Sequence, residues 1–365
     1  MVRPAPAIDA IPATTPFVGP EQLMRERGLR ELVRLGANES PFGPSPKALA
    51  AMGGELQRLG WYGDPESLDL RDALARKHAC DPEQIVVASG IDDVMGLAVR
   101  AFVPPGGLVV TTRGTYPTLN YHAIGYGAKL STVDYAPDGT PDLDALLDVA
   151  QREHPSLLYL ANPDNPSGRF IAPHDVAAFY RALPHDTLLL LDEAYADFVD
   201  PGELPPQHFE ERLIRMRTFS KAYGMAGARI GYALTAASNV RVFQKIRLHY
   251  GINRNAQVGA LASLSDDEFR DRVVAETARA RADYYALASE LRCDSIESFT
   301  NFVCIDMLTA QRATRVVDDL LRRGVWIRKP GAPPLDRFIR VSAGTEPMRR
   351  AFGAALRSVL EELPA

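Results

Sequence analysis

Cysteine is scarce in this chain. The three cysteines, Cys80, Cys293 and Cys304, are odd in number and far apart in a sequence of 365 residues. This pattern does not suit a disulfide framework, and no Cys-x-x-Cys or Cys/His spacing typical of a zinc site occurs. We therefore expect a cytoplasmic protein, from a reducing compartment, without a bound metal.

Long apolar runs are also missing. No uncharged apolar stretch reaches the ~18 residues of a membrane-spanning helix, and the proline-rich start lacks the basic and apolar segments of a signal peptide. The net charge of −5 and the pI of about 5.9 favour neither nucleic acid nor an anionic membrane as a partner. With 46% hydrophobic and 24% charged residues, the chain has the composition of a globular protein, and its length allows two domains.

Apolar runs alternate with helical patterns through the first two thirds of the chain. This alternation predicts an α/β domain with a mainly parallel central sheet. The predicted strands are 85–88, 108–111, 157–160, 187–191, 213–219 and 230–234. Predicted helices between or beside them are 46–58, 66–79, 92–101, 116–125, 173–182 and 238–248.

The pattern changes near residue 250. A long helical stretch, 254–292, is followed by helices near 311–323 and 346–362 and by short strands at 302–307, 325–327 and 338–341. This predicts a smaller α+β unit. We therefore expect an N-terminal arm and helix over 1–35, a large domain over 36–250 and a small C-terminal domain over 251–365.

One lysine is distinguished by its neighbours. Lys221 follows Ser220 in the segment Thr-Phe-Ser-Lys-Ala-Tyr-Gly, and Asp192 ends the apolar strand that precedes it. A lysine amine can form a Schiff base with an aldehyde cofactor, and a buried carboxylate can keep a pyridinium nitrogen protonated. The pair predicts pyridoxal phosphate, covalently attached at Lys221.

Other polar residues follow the predicted strands where a ligand of an open α/β sheet is expected. Asn165, in Asn-Pro-Asp-Asn-Pro-Ser-Gly, and Tyr195, three residues after Asp192, can reach a phenolic oxygen on the cofactor ring. Tyr116, after strand 108–111, can stack on that ring.

A phosphate site is predicted at a strand-to-helix junction. Gly90, Ile91 and Asp92 offer exposed amides at a helix N-terminus. Ser220 and Arg229 can contribute side chains, and the hydroxyl of Thr218 is a secondary candidate.

Two arginines are candidates for binding a substrate carboxylate. Arg340 lies between apolar residues of a predicted strand, where a charge needs a partner, either a substrate anion or a structural ion pair. Arg328 is a weaker candidate of the same kind. Among the seven histidines, only His249 is placed near the site by its position in the sequence.

These motifs, in this order, resemble the fold type I pyridoxal phosphate-dependent aminotransferases, specifically the histidinol-phosphate aminotransferase branch of the class II enzymes. The resemblance extends from about residue 17 to about residue 360. It is carried by segments 35–46, 62–65, 162–168, 192–195, 220–224 and 340–345.

The resemblance implies roles for individual residues. Lys221 would form the Schiff base and move a proton between the substrate Cα and C4′ of the cofactor, with Asp192 at the ring nitrogen. Arg340 would hold the substrate α-carboxylate, and Arg328 would be a second clamp. Tyr62 would reach the phosphate of the cofactor in a neighbouring subunit, which implies a homodimer with shared active sites.

Departures from the family pattern fall on candidate substrate contacts. Phe17 stands where the family usually has a tyrosine that helps to hold the substrate phosphate, and His249-Tyr250-Gly251-Ile252-Asn253 stands where it tends to read Pro-Phe-Asn-Val-Asn. Asn38, in the segment 35–46, is a further candidate contact. We therefore expect an altered substrate pocket, in which histidinol phosphate is disfavoured.

The predicted activity is a ping-pong aminotransferase that interconverts an amino acid, or an amino alcohol, and its keto counterpart. One alternative is a decarboxylase, lyase or cyclising enzyme of specialised metabolism, because such enzymes share the cofactor chemistry. Another is a non-catalytic, cofactor-binding domain, which the presence of Lys221, Asp192 and Arg340 disfavours.

Overall fold

A seven-stranded sheet forms the centre of the molecule. The structure is a computed structural model, and it describes residues 2–9, 11–12, 18–204 and 209–363. Numbered along the chain, the strands are β1 Val33–Arg34, β2 Ile85–Ala88, β3 Leu108–Thr112, β4 Lys129–Val133, β5 Leu157–Ala161, β6 Leu188–Asp192, β7 Leu213–Thr218, β8 Gly231–Leu234, β9 Ser295–Ile296, β10 Phe302–Asp306, β11 Val325–Trp326 and β12 Phe338–Ser342. The order in the large sheet is β2-β8-β7-β6-β5-β3-β4. Only β8 runs antiparallel to its neighbours in that sheet.

Helices cover this sheet and build the C-terminal part. They are α1 Pro6–Asp9, α2 Pro20–Arg27, α3 Pro46–Glu55, α4 Leu68–His78, α5 Ile91–Phe102, α6 Thr118–Gly125, α7 Leu143–Glu153, α8 Pro173–Ala182, α9 Ala237–Gln244, α10 Arg254–Leu264, α11 Asp267–Glu290, α12 Ala310–Arg322 and α13 Glu346–Glu362. No helix in the described ranges is long and apolar enough to cross a membrane.

The central strands are apolar along their whole length because both faces of the sheet are covered. Leu188 and Leu190 of β6 belong to the core on one face, and Leu189 and Leu191 belong to the core on the other. The parallel order also brings the C-terminal ends of β5, β6 and β7 side by side. The segments that follow these three strands are therefore neighbours at one edge of the sheet.

The C-terminal part has its own core and two small sheets. One is antiparallel with the order β12-β10-β9, and in the other β1 pairs with β11 in parallel. Leu35 packs in this core with residues from α11, α12 and α13. The chain just before Gly36 is thus anchored on the C-terminal residues. The predicted domain boundaries stay a prediction.

The mainly parallel α/β fold is confirmed, but some predicted elements differ from the structure. The stretch 254–292 is two helices, α10 and α11, that are separated at Ser265 and Asp266. Strand β4 and helix α7 were not predicted.

Candidate active site

A cavity of about 840 Å³ opens where the strand ends face the C-terminal part. The predicted site residues that line it are Asn38, Tyr116, Asn165, Tyr195, Lys221, Arg328 and Arg340. These residues come from positions 38 to 340 of the chain, so the fold gathers them from both parts of the molecule. The described residues contain no group of three or more His, Cys, Asp or Glu side chains that could hold a metal.

Lys221 lies in the wall of this cavity. Its Nζ donates a hydrogen bond to the carbonyl oxygen of Asn38 at 3.1 Å and lies 5.6 Å from the centre of the Tyr195 ring. Burial, together with the positive charge of Arg340, lowers the pKa of Lys221 to about 8. The amine therefore loses its proton, and becomes nucleophilic, much closer to neutral pH than an ordinary lysine does.

Asp192 is a buried carboxylate with neutral partners. It accepts hydrogen bonds from the Tyr159 hydroxyl at 2.7 Å and from the Ala194 amide at 3.0 Å. Burial raises the pKa of Asp192 to about 6. A protonated ring nitrogen would supply the cation that this carboxylate lacks, so the site fits a pyridinium ring.

A second group of polar residues surrounds the N-terminus of α5. Asp92 accepts from the Tyr116 hydroxyl at 3.0 Å and from Nη2 of Arg229 at 3.2 Å. Gly90 has a φ of +82°, and a Cβ there would lie 2.7 Å from Nη2 of Arg229. Only glycine therefore allows the guanidinium to approach the turn so closely.

Hydroxyl groups complete this corner of the sheet. Gly231 of β8 pairs with Ala88 on one side and with Thr218 on the other, which brings the ends of three strands together. The Thr218 hydroxyl donates to Oγ of Ser220 at 2.9 Å. Helix amides, two hydroxyls and a guanidinium at one corner fit a phosphate group.

Asn38 connects several of these groups. Its Nδ2 donates to the Tyr195 hydroxyl at 3.0 Å, and its Oδ1 accepts from the Ser342 hydroxyl at 3.1 Å. Its carbonyl oxygen accepts from Lys221 and from Nδ2 of Asn301 at 3.0 Å. Predicted as a substrate contact, Asn38 lies in the cavity wall and also holds the lysine and the tyrosine in place.

Arg340 points its guanidinium toward the Asn165 loop. Its Nη1 donates to Oδ1 of Asn165 at 2.5 Å, and its Nη2 donates to the Gly36 carbonyl at 3.4 Å. No carboxylate of the described residues forms an ion pair with it. The structural ion pair that the sequence left open is therefore not formed, and the positive charge is available to an anion.

Arg328 is the backbone partner of Arg340. The Arg340 amide donates to the Arg328 carbonyl at 2.7 Å, and the two side chains line the same cavity. Nη2 of Arg328 donates to the Val18 carbonyl at 3.0 Å. Burial, followed by the charge of Arg340, lowers the pKa of Arg328. Two neighbouring guanidinium groups make this end of the cavity suitable for an anionic substrate group.

Some predicted site residues do not reach the cavity of their own chain. Tyr62 and Tyr250 stack on each other at the surface, with ring centres 4.4 Å apart, and His249 lines a separate surface cavity with Arg241. Any contact of these three with a cofactor or substrate would have to be made in a neighbouring subunit. Phe17 lies outside the described residues.

The sequence interpretation missed several residues that support the site. Tyr159 holds Asp192, and Asn301 holds Asn38. The only available signal was a tyrosine within an otherwise aliphatic strand, since a polar group buried there needs a partner.

The fold and this site define a fold type I transferase, in which a lysine and an aspartate meet at the C-terminal edge of a mainly parallel sheet. The family model "Aminotransferase class I and II" matches residues 30–356. The chain belongs to this family. The family depends on pyridoxal phosphate, so the predicted enzyme class and cofactor are confirmed.

Similar proteins narrow the resemblance to one branch. A histidinol-phosphate aminotransferase of Roseiflexus castenholzii is 35% identical, with 98% of this chain and 97% of the relative covered. A crystal structure of histidinol-phosphate aminotransferase from Sinorhizobium meliloti in complex with pyridoxal-5'-phosphate is 42% identical, with a TM-score of 0.95 over 100% of this chain and 99% of that one. An aspartate aminotransferase of Thermus thermophilus, 22% identical with a TM-score of 0.84 over 98% of this chain and 100% of that one, shares the fold.

Proposed function

We propose that this chain transfers an amino group between a small anionic amine and an oxo compound, with pyridoxal phosphate bound covalently at Lys221. The observation that carries the proposal is the convergence on one cavity of Lys221, the paired arginines and the Asn165 loop, with buried Asp192 behind it. The family membership supports the reaction class.

Each residue has a separate task. Bound pyridoxal phosphate supplies an aldehyde carbon for the amino group and a ring that withdraws electrons from Cα. The negative charge of Asp192 keeps the ring nitrogen protonated. Burial raises the pKa of Tyr195 to about 12, so its hydroxyl keeps its proton and can donate to the phenolic oxygen. Because Oδ1 of Asn165 accepts from Arg340, its Nδ2 is the atom left to donate to that same oxygen.

Lys221 is the proposed acid–base group. Its amine, with a pKa of about 8, can accept a proton from the substrate Cα and return it at C4′. The same residues serve both half-reactions, so donor and acceptor bind in turn at one cavity. This order corresponds to a ping-pong mechanism.

The substrate is proposed to carry an anionic group bound by Arg340 and Arg328. We propose further that it is not histidinol phosphate, because Phe17 lacks the hydroxyl expected at its position. The presence of both arginines in the cavity supports an anionic substrate.

We also propose that the active unit is a homodimer. The surface around Tyr62 exposes Trp61 at 69%, Leu248 at 74% and Tyr250 at 54% of their maximum areas. Apolar side chains so close together on a surface are typical of a contact between proteins.

The test combines a substrate panel with mapping of the covalent adduct. Amino donors, including histidinol phosphate and several amino acids, are supplied with 2-oxoglutarate, and both keto product and CO₂ are measured. Borohydride should fix the cofactor on Lys221, and Lys221→Ala should abolish both adduct and turnover. The exposed Lys245→Ala is the matched control and should keep both.

Three results would contradict parts of this proposal. An adduct on another lysine would exclude Lys221, and CO₂ release without keto transfer would favour the decarboxylase alternative. Preference for histidinol phosphate over all other donors would refute the altered pocket.

A further inference from the structure

Trp326 is a buried aromatic residue in the wall of the Lys221 cavity. It ends strand β11, exposes only 4% of its area and is one of two tryptophans in the chain. Neither the sequence motifs nor the proposed reaction assigns it a role. Its contacts, however, lead to both arginines and to the segment that holds Lys221.

The first contact is with the chain segment that enters the site. The Leu35 amide donates to the Trp326 carbonyl at 2.8 Å, and the backbone of Gly36 lies against the indole. A Cβ on Gly36 would be 2.9 Å from Cδ2 and Cε2 of Trp326. The ring thus requires glycine at this position and sets how closely the segment approaches.

This segment carries two acceptors of the site. The Gly36 carbonyl accepts from Nη2 of Arg340 at 3.4 Å, and two residues later the Asn38 carbonyl accepts from Nζ of Lys221 at 3.1 Å. A shift of the Gly36 backbone would therefore displace the carbonyl that binds Arg340 more directly than the carbonyl that binds Lys221.

The second contact is with the other arginine. The guanidinium carbon of Arg328 lies over the Trp326 ring, 5.2 Å from its centre. A cation above an aromatic face is attracted by the ring electrons, more strongly where water is excluded. The indole therefore supports Arg328 directly and Arg340 through Gly36.

We infer that Trp326 is a positioning residue that holds the guanidinium groups of Arg328 and Arg340 at the separation needed to bind one carboxylate-bearing substrate. The inference rests on the proposed function only in taking the arginine pair as the anion-binding end of the cavity. It assigns to Trp326 a role in affinity for the anion, not in proton transfer.

Glutarate provides a test that needs no turnover, because this dicarboxylate has no amino group to transfer. Its dissociation constant is measured by calorimetry with the protein loaded with pyridoxal phosphate. Trp326→Leu should weaken binding about tenfold and Trp326→Phe, which keeps an aromatic face, about threefold. Cofactor content should stay unchanged in both, because neither contact of Trp326 lies in the phosphate corner.

Gly36→Ala probes the same packing from the other side. Alone, it should weaken glutarate binding about tenfold, since the added methyl group displaces the indole. Combined with Trp326→Leu, which frees space, it should cause little further loss. Two residues that acted independently would instead give the product of the two single effects.

The emission of Trp326 gives a readout at the residue itself. In a Trp61→Phe background it is the only tryptophan, and glutarate should change its fluorescence. Variants are compared only where circular dichroism shows a folded protein, and Trp326→Phe serves as the conservative variant if Trp326→Leu does not fold.

The outcomes separate this inference from the proposed function. Glutarate affinity that is unchanged, within about twofold, in Trp326→Phe and Gly36→Ala would overturn the inference even in an active aminotransferase. No glutarate binding by the unsubstituted protein would also overturn it. Trp326-dependent glutarate binding by a protein that transfers no amino group would support the inference and refute the proposed reaction.

Discussion

At the scale of single residues, the site contains two buried carboxylates whose partners are neutral. Asp192 accepts from Tyr159 and Ala194, and Asp164 accepts from the Tyr135 hydroxyl and from the amide and hydroxyl of Ser167. Burial raises the pKa of each carboxyl to about 6. Without the cofactor, ionisation of either group therefore opposes folding.

Asp192→Asn should stabilise the cofactor-free protein at pH 7 while weakening cofactor binding. The folded pKa of about 6 lies above the unfolded value of ~3.9, so the folded state binds more protons in this interval. The contribution of Asp192 to the free energy of unfolding falls as the pH rises from about 4 to about 6, and the loss is complete above that range. Asp192→Asn should therefore raise the free energy of unfolding by about 1–3 kcal/mol at pH 7 and leave it unchanged near pH 3. Urea unfolding at both pH values measures this difference.

Asp148→Asn, at an exposed position, is the matched control and should leave the free energy of unfolding unchanged at both pH values. If Asp192→Asn lowers the stability of the cofactor-free protein at pH 7, the buried carboxylate is already compensated, and the fit to a pyridinium ring loses its main support.

The sequence predicted the residues that we propose to contact the cofactor better than the residues that hold them in place. Lys221 and Tyr195 were recognisable because each occurs in a short motif after a strand. Tyr159, Asn301 and Trp326 were not, because each has a partner that lies 33 residues or more away along the chain, namely Asp192, Asn38 and Gly36. Such contacts depend on strand order and on packing between the two parts, which local spacing does not encode.

At the scale of elements, a buried charge cluster joins the ends of β6 and β7. Glu193 forms ion pairs with Arg215 at 2.6 Å and with Arg217 at 2.8 Å, and all three side chains are almost fully buried. Burial alone would raise the pKa of Glu193, but the two arginines hold it below its usual range. Because Glu193 follows Asp192 directly, this cluster fixes the strand end that carries Asp192.

Glu193→Gln should strongly destabilise the protein. It removes the carboxylate that pairs with both buried guanidinium groups, and removal of one member of a buried ion pair typically costs about 3–5 kcal/mol. Urea unfolding measures the change in the free energy of unfolding. The exposed pair of Arg152 and Glu153 supplies the control, since Glu153→Gln should change that energy by less than about 1 kcal/mol. If Glu193→Gln also changes the free energy of unfolding by less than about 1 kcal/mol, the cluster is not what fixes this strand end.

The elements that the sequence missed lack the patterns that identified the others. Strand β4, Lys-Leu-Ser-Thr-Val, is at the edge of the sheet and mostly only half-buried, so it has no continuous apolar run. The break between α10 and α11 falls at Ser265 and Asp266, residues that favour helix ends, within a stretch whose helical spacing continues on both sides. The central strands were predictable because burial on both faces demands uniformly apolar sequences.

At the scale of the whole molecule, one surface is unusually apolar for a single chain. Tyr62 is 75% exposed, and its ring stacks on Tyr250, which like Tyr62 does not line the cavity of its own chain. Leu56 and Leu59, both also more than half exposed, extend the patch. In the proposed homodimer, this surface is the contact between the two chains, and Tyr62 is the residue proposed to reach the neighbouring site.

Mixed dimers test whether Tyr62 acts across the subunit contact. Lys221→Ala chains and Tyr62→Ala chains should each form poorly active dimers. A hybrid of the two has one site with both defects and one site with neither, since its Lys221 and its Tyr62 come from different chains. Purified through two different tags, the hybrid should therefore regain up to half of the unsubstituted activity.

The matched control carries both substitutions on one chain and pairs it with an unsubstituted chain. In that hybrid each site lacks either Lys221 or the partner's Tyr62, so activity should stay low although the number of substitutions is the same. Equal activity of the two hybrids would show that Tyr62 does not contribute to activity, and higher activity in this control hybrid would show that Tyr62 acts within its own chain. Activity in the first hybrid alone would require each active site to be built from two subunits, because Tyr62 and Lys221 would then function only when they meet across the contact.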